Sequence, residues 1–343
     1  MGYSLYFFPF VFSFLIATML SASLLLVRRF FPDDRRSGRH VHKAGKLRLG
    51  GVAVIIAFVA SLLLDESLFI PQSLWGIIAA SVLILIVGVW DDIRELNWKY
   101  QLFFQFSIAV LVFIMGVRIE YVTNPFGGVF DLEPERLFLP NLLLVAIWIM
   151  IFMNSMNWID GIDGLSGGIT LIGATTIFIL ALKPEVNQPP VGIITAALFG
   201  AVLAFLVFNF NPSRIMAGTS GSMFMGFILA VLAIFAGAKI ATMLLIMAIP
   251  IIDAFWVILE RIKNGKSIFE ADRNHLHHKL LELGWSQKKI CLFFYAVTFV
   301  ISLIALNTRA IGKFVTILLA AAVMASLLYV INRKVYSVKS KST

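Results

Sequence analysis

Asp91 and Asp92 close an apolar run, LILIVGVWDDIRELNWK, and two further carboxylates, Asp160 and Asp163, stand in a similar break, NSMNWIDGIDGLSGG. Carboxylates are costly at a membrane boundary, so clusters repeated where apolar runs end point to a site. An adjacent pair suits holding Mg2+ or taking a proton from a phosphate. An Asp-Asp pair followed by Arg94 and Glu95 also begins many solvated loops, so by itself it only suggests chemistry. The stretch from Asn154 to Gly164 is more specific. It sets Asn154 and Asn157 beside two Asp-Gly steps, and the glycines allow a ligand close to the backbone. Turns and helix caps use the same residue types, but a plain turn has no need of two carboxylates and two amides at an interface.

Three other segments offer phosphate chemistry. Asn209-Phe210-Asn211-Pro212 leads to Gly218-Thr219-Ser220-Gly221-Ser222. Successive amides running into a helix start form an anion cradle, although glycine and serine also make ordinary turns. His275, His277 and His278, three of the chain's five histidines, follow Asp272 and Arg273. Their spacing lacks the i, i+4 pair of common zinc hydrolases, and with Arg273, Lys263 and Lys266 nearby a diphosphate pocket is the better reading. The loop 28–48 is strongly basic and includes His42, Lys43 and Arg48.

The elements that carry these residues are apolar. Of 343 residues 60% are hydrophobic and 14% charged, and mean hydropathy is +0.93. Runs approaching the ~20 residues needed to cross a ~30 Å hydrocarbon core predict an all-α integral membrane protein. About ten or eleven spans are expected, near 3–27, 49–64, 73–90, 101–117, 138–153, 165–182, 191–208, 222–237, 241–259, 291–306 and 312–331. Connections after the odd-numbered spans, with the C-terminal tail, hold 22 of the 28 Lys and Arg residues. Basic residues stay cytoplasmic, which sets the N-terminus outside, the C-terminus inside, and the loops 28–48, 91–100, 154–168, 209–222 and 261–289 on the cytoplasmic face. The first span, lacking a basic lead and a small-residue cleavage site, reads as a retained helix.

The remaining features are quieter. The net charge of +9 is a topology signal and a contact for anionic lipid, and no basic and aromatic module supports nucleic acid. Cys291 is the single cysteine, which excludes an intrachain disulfide and thiolate metal clusters. In IEYVTNPFGGVFDL, β-favouring residues flank a turn, so a small hairpin is expected at the outer surface. Small-residue faces that include Gly167, Gly168 and Gly173 are the expected basis of helix packing and of any homodimer. Asp253, within IPIIDAFWVILE, reads as a polar contact inside a helix. The whole of 1–343 reads as one polytopic domain.

Taken in order, RHVHKAGKLRLGG, GVWDDIRELNWKYQLFFQ, NSMNWIDGIDGLSGG, FNFNPSRIMAGTSGSMFMG and ADRNHLHHKLLELG resemble the polyprenyl-phosphate N-acetylhexosamine-1-phosphate transferases across most of the chain. The resemblance implies a Mg2+-dependent membrane transferase, with Mn2+ as an alternative ion, that joins a UDP-N-acetylhexosamine and a polyprenyl phosphate and releases UMP. It implies that Asp91 and Asp92 engage the lipid phosphate and the metal. Asn157, Asp160 and Asp163 match the nucleotide-sugar segment, with Asn209 in the segment that follows it. Asp272, Arg273, His275, His277 and His278 match the loop near the diphosphate and sugar, and His42, Lys43 and Arg48 match a first basic loop. The form HLHHKLLELG is similar to the branch that begins teichoic acid, O-antigen and related cell-envelope glycans, which favours UDP-N-acetylglucosamine and undecaprenyl phosphate in a bacterial cytoplasmic membrane. The branch that transfers phospho-muramoyl-pentapeptide is the alternative. A homodimer is compatible with the resemblance.

One position departs from the pattern. Gly-Asp-x-Gly-Ser is expected where this chain has Gly218-Thr219-Ser220-Gly221-Ser222, so Thr219 stands at a metal-ligand position. A hydroxyl can coordinate Mg2+ but neutralises none of its charge. Weakened activity, or a membrane protein that binds the lipid or nucleotide sugar without turnover, follows as an expectation. A secondary transporter would instead gather its ionisable residues near mid-membrane.

Overall fold

The computed structural model describes residues 4–27, 47–237, 239–268 and 274–342. The helices are α1 (Ser4–Val27), α2 (Gly50–Leu63), α3 (Gln72–Arg94), α4 (Trp98–Ile114), α5 (Phe138–Ile159), α6 (Leu165–Leu182), α7 (Pro189–Asn209) and α8 (Gly218–Phe235). They continue as α9 (Ile240–Ile246), α10 (Ala248–Lys263), α11 (Leu276–Glu282), α12 (Gln287–Asn307) and α13 (Ala310–Ser342). Apolar runs take this form because hydrocarbon offers no partner to backbone N–H and C=O groups, and a helix satisfies them internally.

Each of the expected apolar runs falls on a helix, and the protein is an all-α membrane bundle. Among the described residues eight helices are long and apolar enough to cross by themselves. α9 and α10 reach that length and apolarity only together and are bent by 72° at the break between them, while α2 and α4 are apolar but shorter. The expected hairpin is present as β1 (Tyr121–Thr123) paired antiparallel with β2 (Val129–Asp131), Val122 opposite Phe130. Tyr121 donates to the Gly237 carbonyl at 3.1 Å, just beyond the end of α8.

α8 is the axis of the bundle: every residue from Gly218 to Ile234 is buried, against α2, α3, α5 and α6. The approach is backbone to backbone. A Cβ on Gly51 of α2 would lie 2.1 Å from the Gly221 nitrogen, and one on Gly88 of α3 would lie 2.3 Å from Ser220 Cα. Glycine allows close helix packing of this kind in membranes. It also brings the start of α8 beside the last turn of α3.

Two expectations change in detail. Asp91 and Asp92 belong to the final turn of α3, and Asn154 and Asn157 to α5. The breaks are therefore shorter and more rigid than the loops read from sequence. Gly167, Gly168 and Gly173 do pack helices, but within this chain, facing Leu206, Tyr295 and Leu229 respectively. They present no open face for a second copy.

Candidate active site

The start of α2 lies alongside the segment entering α8. Leu47 bridges Ile215 in parallel, and Met216 N–H donates to Leu47 O at 2.8 Å while Gly50 N–H returns to Met216 O at 2.8 Å. This short ladder places Arg48 over the N-terminus of α8. Gly218 there has φ +72°, and a Cβ on it would meet Arg48 O at 2.2 Å and Asp92 Oδ2 at 2.4 Å. Only glycine suits that backbone and that space.

Asp92 occupies the anion cradle anticipated for phosphate. Its Oδ1 accepts from Thr219 N at 2.9 Å, and its Oδ2 accepts from Ser220 N and Ser220 Oγ, both at 3.3 Å. Arg48 Nε stands 3.7 Å from Oδ1. A carboxylate is favoured there because free amides and the helix dipole put partial positive charge at a helix start. Asp91 is held from the other side: Oδ2 accepts from Thr219 Oγ1 at 2.6 Å. Its Oδ1 accepts from Leu96 N and Gln101 Nε2, each at 2.8 Å. Thr219 thus bonds both aspartates, through its hydroxyl and its amide, at the position where the resemblance expects a third carboxylate.

Asp160 caps the end of α5 and accepts from Ser166 Oγ across the turn. Burial pushes its carboxyl up to about 7; Ser166 and Arg48 oppose the shift, and Asp92 and Asp163 add to it. The involvement of Arg48 and Asp92 joins Asp160 to the Asp91–Asp92–Thr219 group in one electrostatic site. Asn157, one turn earlier, accepts from Ser222 Oγ at 2.7 Å and ties α5 to α8.

Asp163 and Asn209 clamp the loops behind that group. Asp163 Oδ1 accepts from Ser213 Oγ at 2.7 Å, and Oδ2 accepts from Ser213 N and Asn211 Nδ2, each at 3.0 Å. Asn209 accepts from Gly164 N at 2.9 Å and donates to Ile215 O at 2.8 Å. From α12, Gln287 accepts from Asp163 N at 3.1 Å, Cys291 Sγ donates to Asp163 O at 3.1 Å, and Tyr295 donates to Gly164 O.

The histidines form the other wall. His275 Nδ1 lies 2.8 Å from Asp253 Oδ2, and Asp253 Oδ1 accepts from Leu276 N at 2.8 Å. Asp253 is therefore a partner of the histidine segment, not merely a contact within α10, and sequence alone did not reveal it because 22 residues separate it from His275. The His275 ring lies 5.8 Å from that of Trp158, over which Arg261 is placed at 5.7 Å. His277 is fully buried, and a Cβ on Gly161 would be 2.2 Å from its Nε2. Desolvation, then His278 and His275, holds its pKa well below the ordinary histidine value. His278, whose ring centroid is 4.1 Å from that of His277, is also buried. His42, Lys43, Asp272 and Arg273 lie outside the described residues.

Among the described residues no three His, Cys, Asp or Glu side chains group as a metal site. The set Asp91, Asp92 and Thr219 Oγ1 is nevertheless all hard oxygen. Mg2+ is commonly held by one or two carboxylates with substrate phosphates, so this set fits the ion with reduced charge.

Comparison with known proteins agrees with the geometry. Residues 74–237 match the family model for glycosyl transferase family 4. The chain is 29% identical over 285 residues to the probable undecaprenyl-phosphate N-acetylglucosaminyl 1-phosphate transferase of Bacillus subtilis, covering 81% of this chain and 77% of that protein. It is 29% identical over 287 residues to the decaprenyl-phosphate N-acetylglucosaminephosphotransferase of Mycobacterium leprae, with coverage of 75% and 72%. To the phospho-N-acetylmuramoyl-pentapeptide-transferase of Halalkalibacterium halodurans it is 30% identical over 324 residues, with coverage of 86% and 95%.

Proposed function

This chain belongs to glycosyl transferase family 4, and from that premise we propose that it transfers N-acetylglucosamine 1-phosphate from UDP-N-acetylglucosamine to undecaprenyl phosphate, in a bacterial cytoplasmic membrane with the site facing the cytoplasm. A lipid phosphate oxygen forms a bond to the sugar-linked phosphorus. The bond from that phosphorus to the bridging oxygen breaks, and its electron pair leaves with UMP. The observation that carries the reading is the meeting of Asp91, Asp92 and Thr219 at the start of α8, with Arg48 and Asp160 in the same field.

Phosphoryl transfer depends mainly on positioning and on neutralising charge. Asp91, Asp92 and Thr219 Oγ1 would hold Mg2+, or Mn2+ in its place, which would supply the neutralisation. Arg48 contributes a fixed positive charge beside Asp92. Burial, with Asp92 and Asp163 nearby, pushes the Asp160 carboxyl up to about 7 in the protein alone, so its charge is disfavoured there. Asp163, Asn209 and Asn157 keep the surrounding turns in register. His275 faces the diphosphate and sugar.

The test is UMP release by purified protein in detergent, with undecaprenyl phosphate, UDP-N-acetylglucosamine and a Mg2+ series, beside Thr219→Asp. Release by both establishes the transferase and shows that threonine is tolerated. Release only by the aspartate variant makes this chain an inactive form of the enzyme. Release by neither rejects this donor, and UDP-N-acetylmuramoyl-pentapeptide is tried next, since the Halalkalibacterium halodurans relative aligns over most of both chains.

A further inference from the structure

We propose that Asp253 is a positioning residue: it holds His275 in the tautomer with the proton on Nδ1 and so presents Nε2 to the substrate diphosphate. The consequence for catalysis rests on the transferase reading; the statement about the tautomer does not.

Both oxygens of Asp253 are committed. Oδ2 meets His275 Nδ1 at 2.8 Å, and Oδ1 accepts from Leu276 N at 2.8 Å. Both side chains are buried. A carboxylate oxygen accepts, so Nδ1 carries the hydrogen, and Nε2 is the ring nitrogen left for a ligand. The second bond fixes more than distance. It pins the backbone of the first residue of α11 and prevents the carboxylate from turning away. Trp158 flanks the ring, and His277 lies parallel to it with centroids 5.9 Å apart, so the imidazole is held on its faces as well. α10 therefore delivers the orientation that the histidine segment lacks by itself.

Asp253→Asn tests this in a specific way. Leu276 N can only donate, so the amide oxygen stays on it and the amide nitrogen turns toward Nδ1. That nitrogen donates, and the ring must carry its hydrogen on Nε2 instead. Nitrogen-15 spectra of the histidine-labelled full chain in detergent at alkaline pH, with the His275 signal assigned by its loss in His275→Gln, are expected to show Nδ1–H in the parent and Nε2–H in the variant. Equal tautomer populations in the two would overturn the proposal.

The second measurement is kinetic. In whichever of the parent or Thr219→Asp backgrounds releases UMP, Asp253→Asn is expected to lower kcat about 100-fold, the scale of a lost oriented contact to developing charge, with KM for the nucleotide sugar little changed. Added to His275→Gln it is expected to cost almost nothing further, because the two act as a unit. Independent, multiplicative losses would assign Asp253 to stability alone and reject its action through His275. Absence of UMP release in both backgrounds would reject the N-acetylglucosamine donor, and the spectra would still decide the tautomer.

Discussion

At the scale of single residues, Thr219 decides how the site meets a metal. Its hydroxyl and amide satisfy Asp91 and Asp92. An aspartate there would bring three carboxylates together, which repel one another until a cation arrives. Thr219→Asp should therefore lower the melting temperature in chelator and enlarge the stabilisation by Mg2+; a tenfold tighter site adds about 1.4 kcal/mol at saturating ion. An equal Mg2+ shift in parent and variant would count against Thr219 as a ligand position. Asp160 gives the pH counterpart. Its carboxyl rises to about 7 in the folded protein, above the ~3.9 of an unfolded chain. The folded state then binds the proton more tightly, so this contribution to stability is full below about 4 and is lost as pH rises through about 7. In chelator, Asp160→Asn should lose less melting temperature than the parent between pH 5 and pH 8, and parallel curves would refute the assignment. Asp91, Asp92 and Asp160 stood out as candidates because their types and spacing are unusual at span ends, and Thr219 only because it departs from the pattern that the resemblance expects. Gln101, Ser166 and Asp253 did not, since nothing local marks a glutamine, a serine or a helix-borne aspartate as a partner.

At the scale of elements, the site depends on how closely α2 and α3 approach α8. A methyl group on Gly88 would strike Ser220 Cα at 2.3 Å, and backbone cannot yield as a side-chain tip can. Gly88→Ala should cost about 1–3 kcal/mol by overpacking and should separate Asp91 and Asp92 from Thr219. A lowered melting temperature together with a weaker Mg2+ response is the expected pair of readouts. Unchanged thermal unfolding would mean that the helices are less tightly apposed. The helices were legible from hydropathy, and the Gly-Thr-Ser-Gly-Ser start of α8 from its turn chemistry. That Asp92 would occupy its amides was not, because an anion cradle accepts any carboxylate or phosphate that tertiary packing brings to it.

At the scale of the whole molecule, all the chemistry lies at one end of the bundle and the hairpin lies toward the other, beyond the end of α8. The proposed orientation, with that end in the cytoplasm, rests on the distribution of Lys and Arg. Cys291→Ser retains a donor to Asp163 O and supplies a background for labelling. In it, Phe126→Cys, at a hairpin position 81% exposed, should react with a membrane-impermeant maleimide in intact spheroplasts. Lys266→Cys, exposed after α10, should react only after lysis. The reverse pattern would invert the protein and place the site outside.

The sequence by itself determined the helical membrane class and the hairpin, and it marked the candidate segments for chemistry. These follow from composition, from runs of apolar residues and from local turn chemistry, all of which act over short stretches of chain. Tertiary structure alone decided the partners. Asp92 with Thr219 and Ser220, Asp163 with Ser213, and Asp253 with His275 are joined by helix packing. The physical reason is that a carboxylate's affinity for an amide, hydroxyl or imidazole is nearly the same for any donor of that kind. Only the crossing of the helices selects which donor stands within hydrogen-bonding distance.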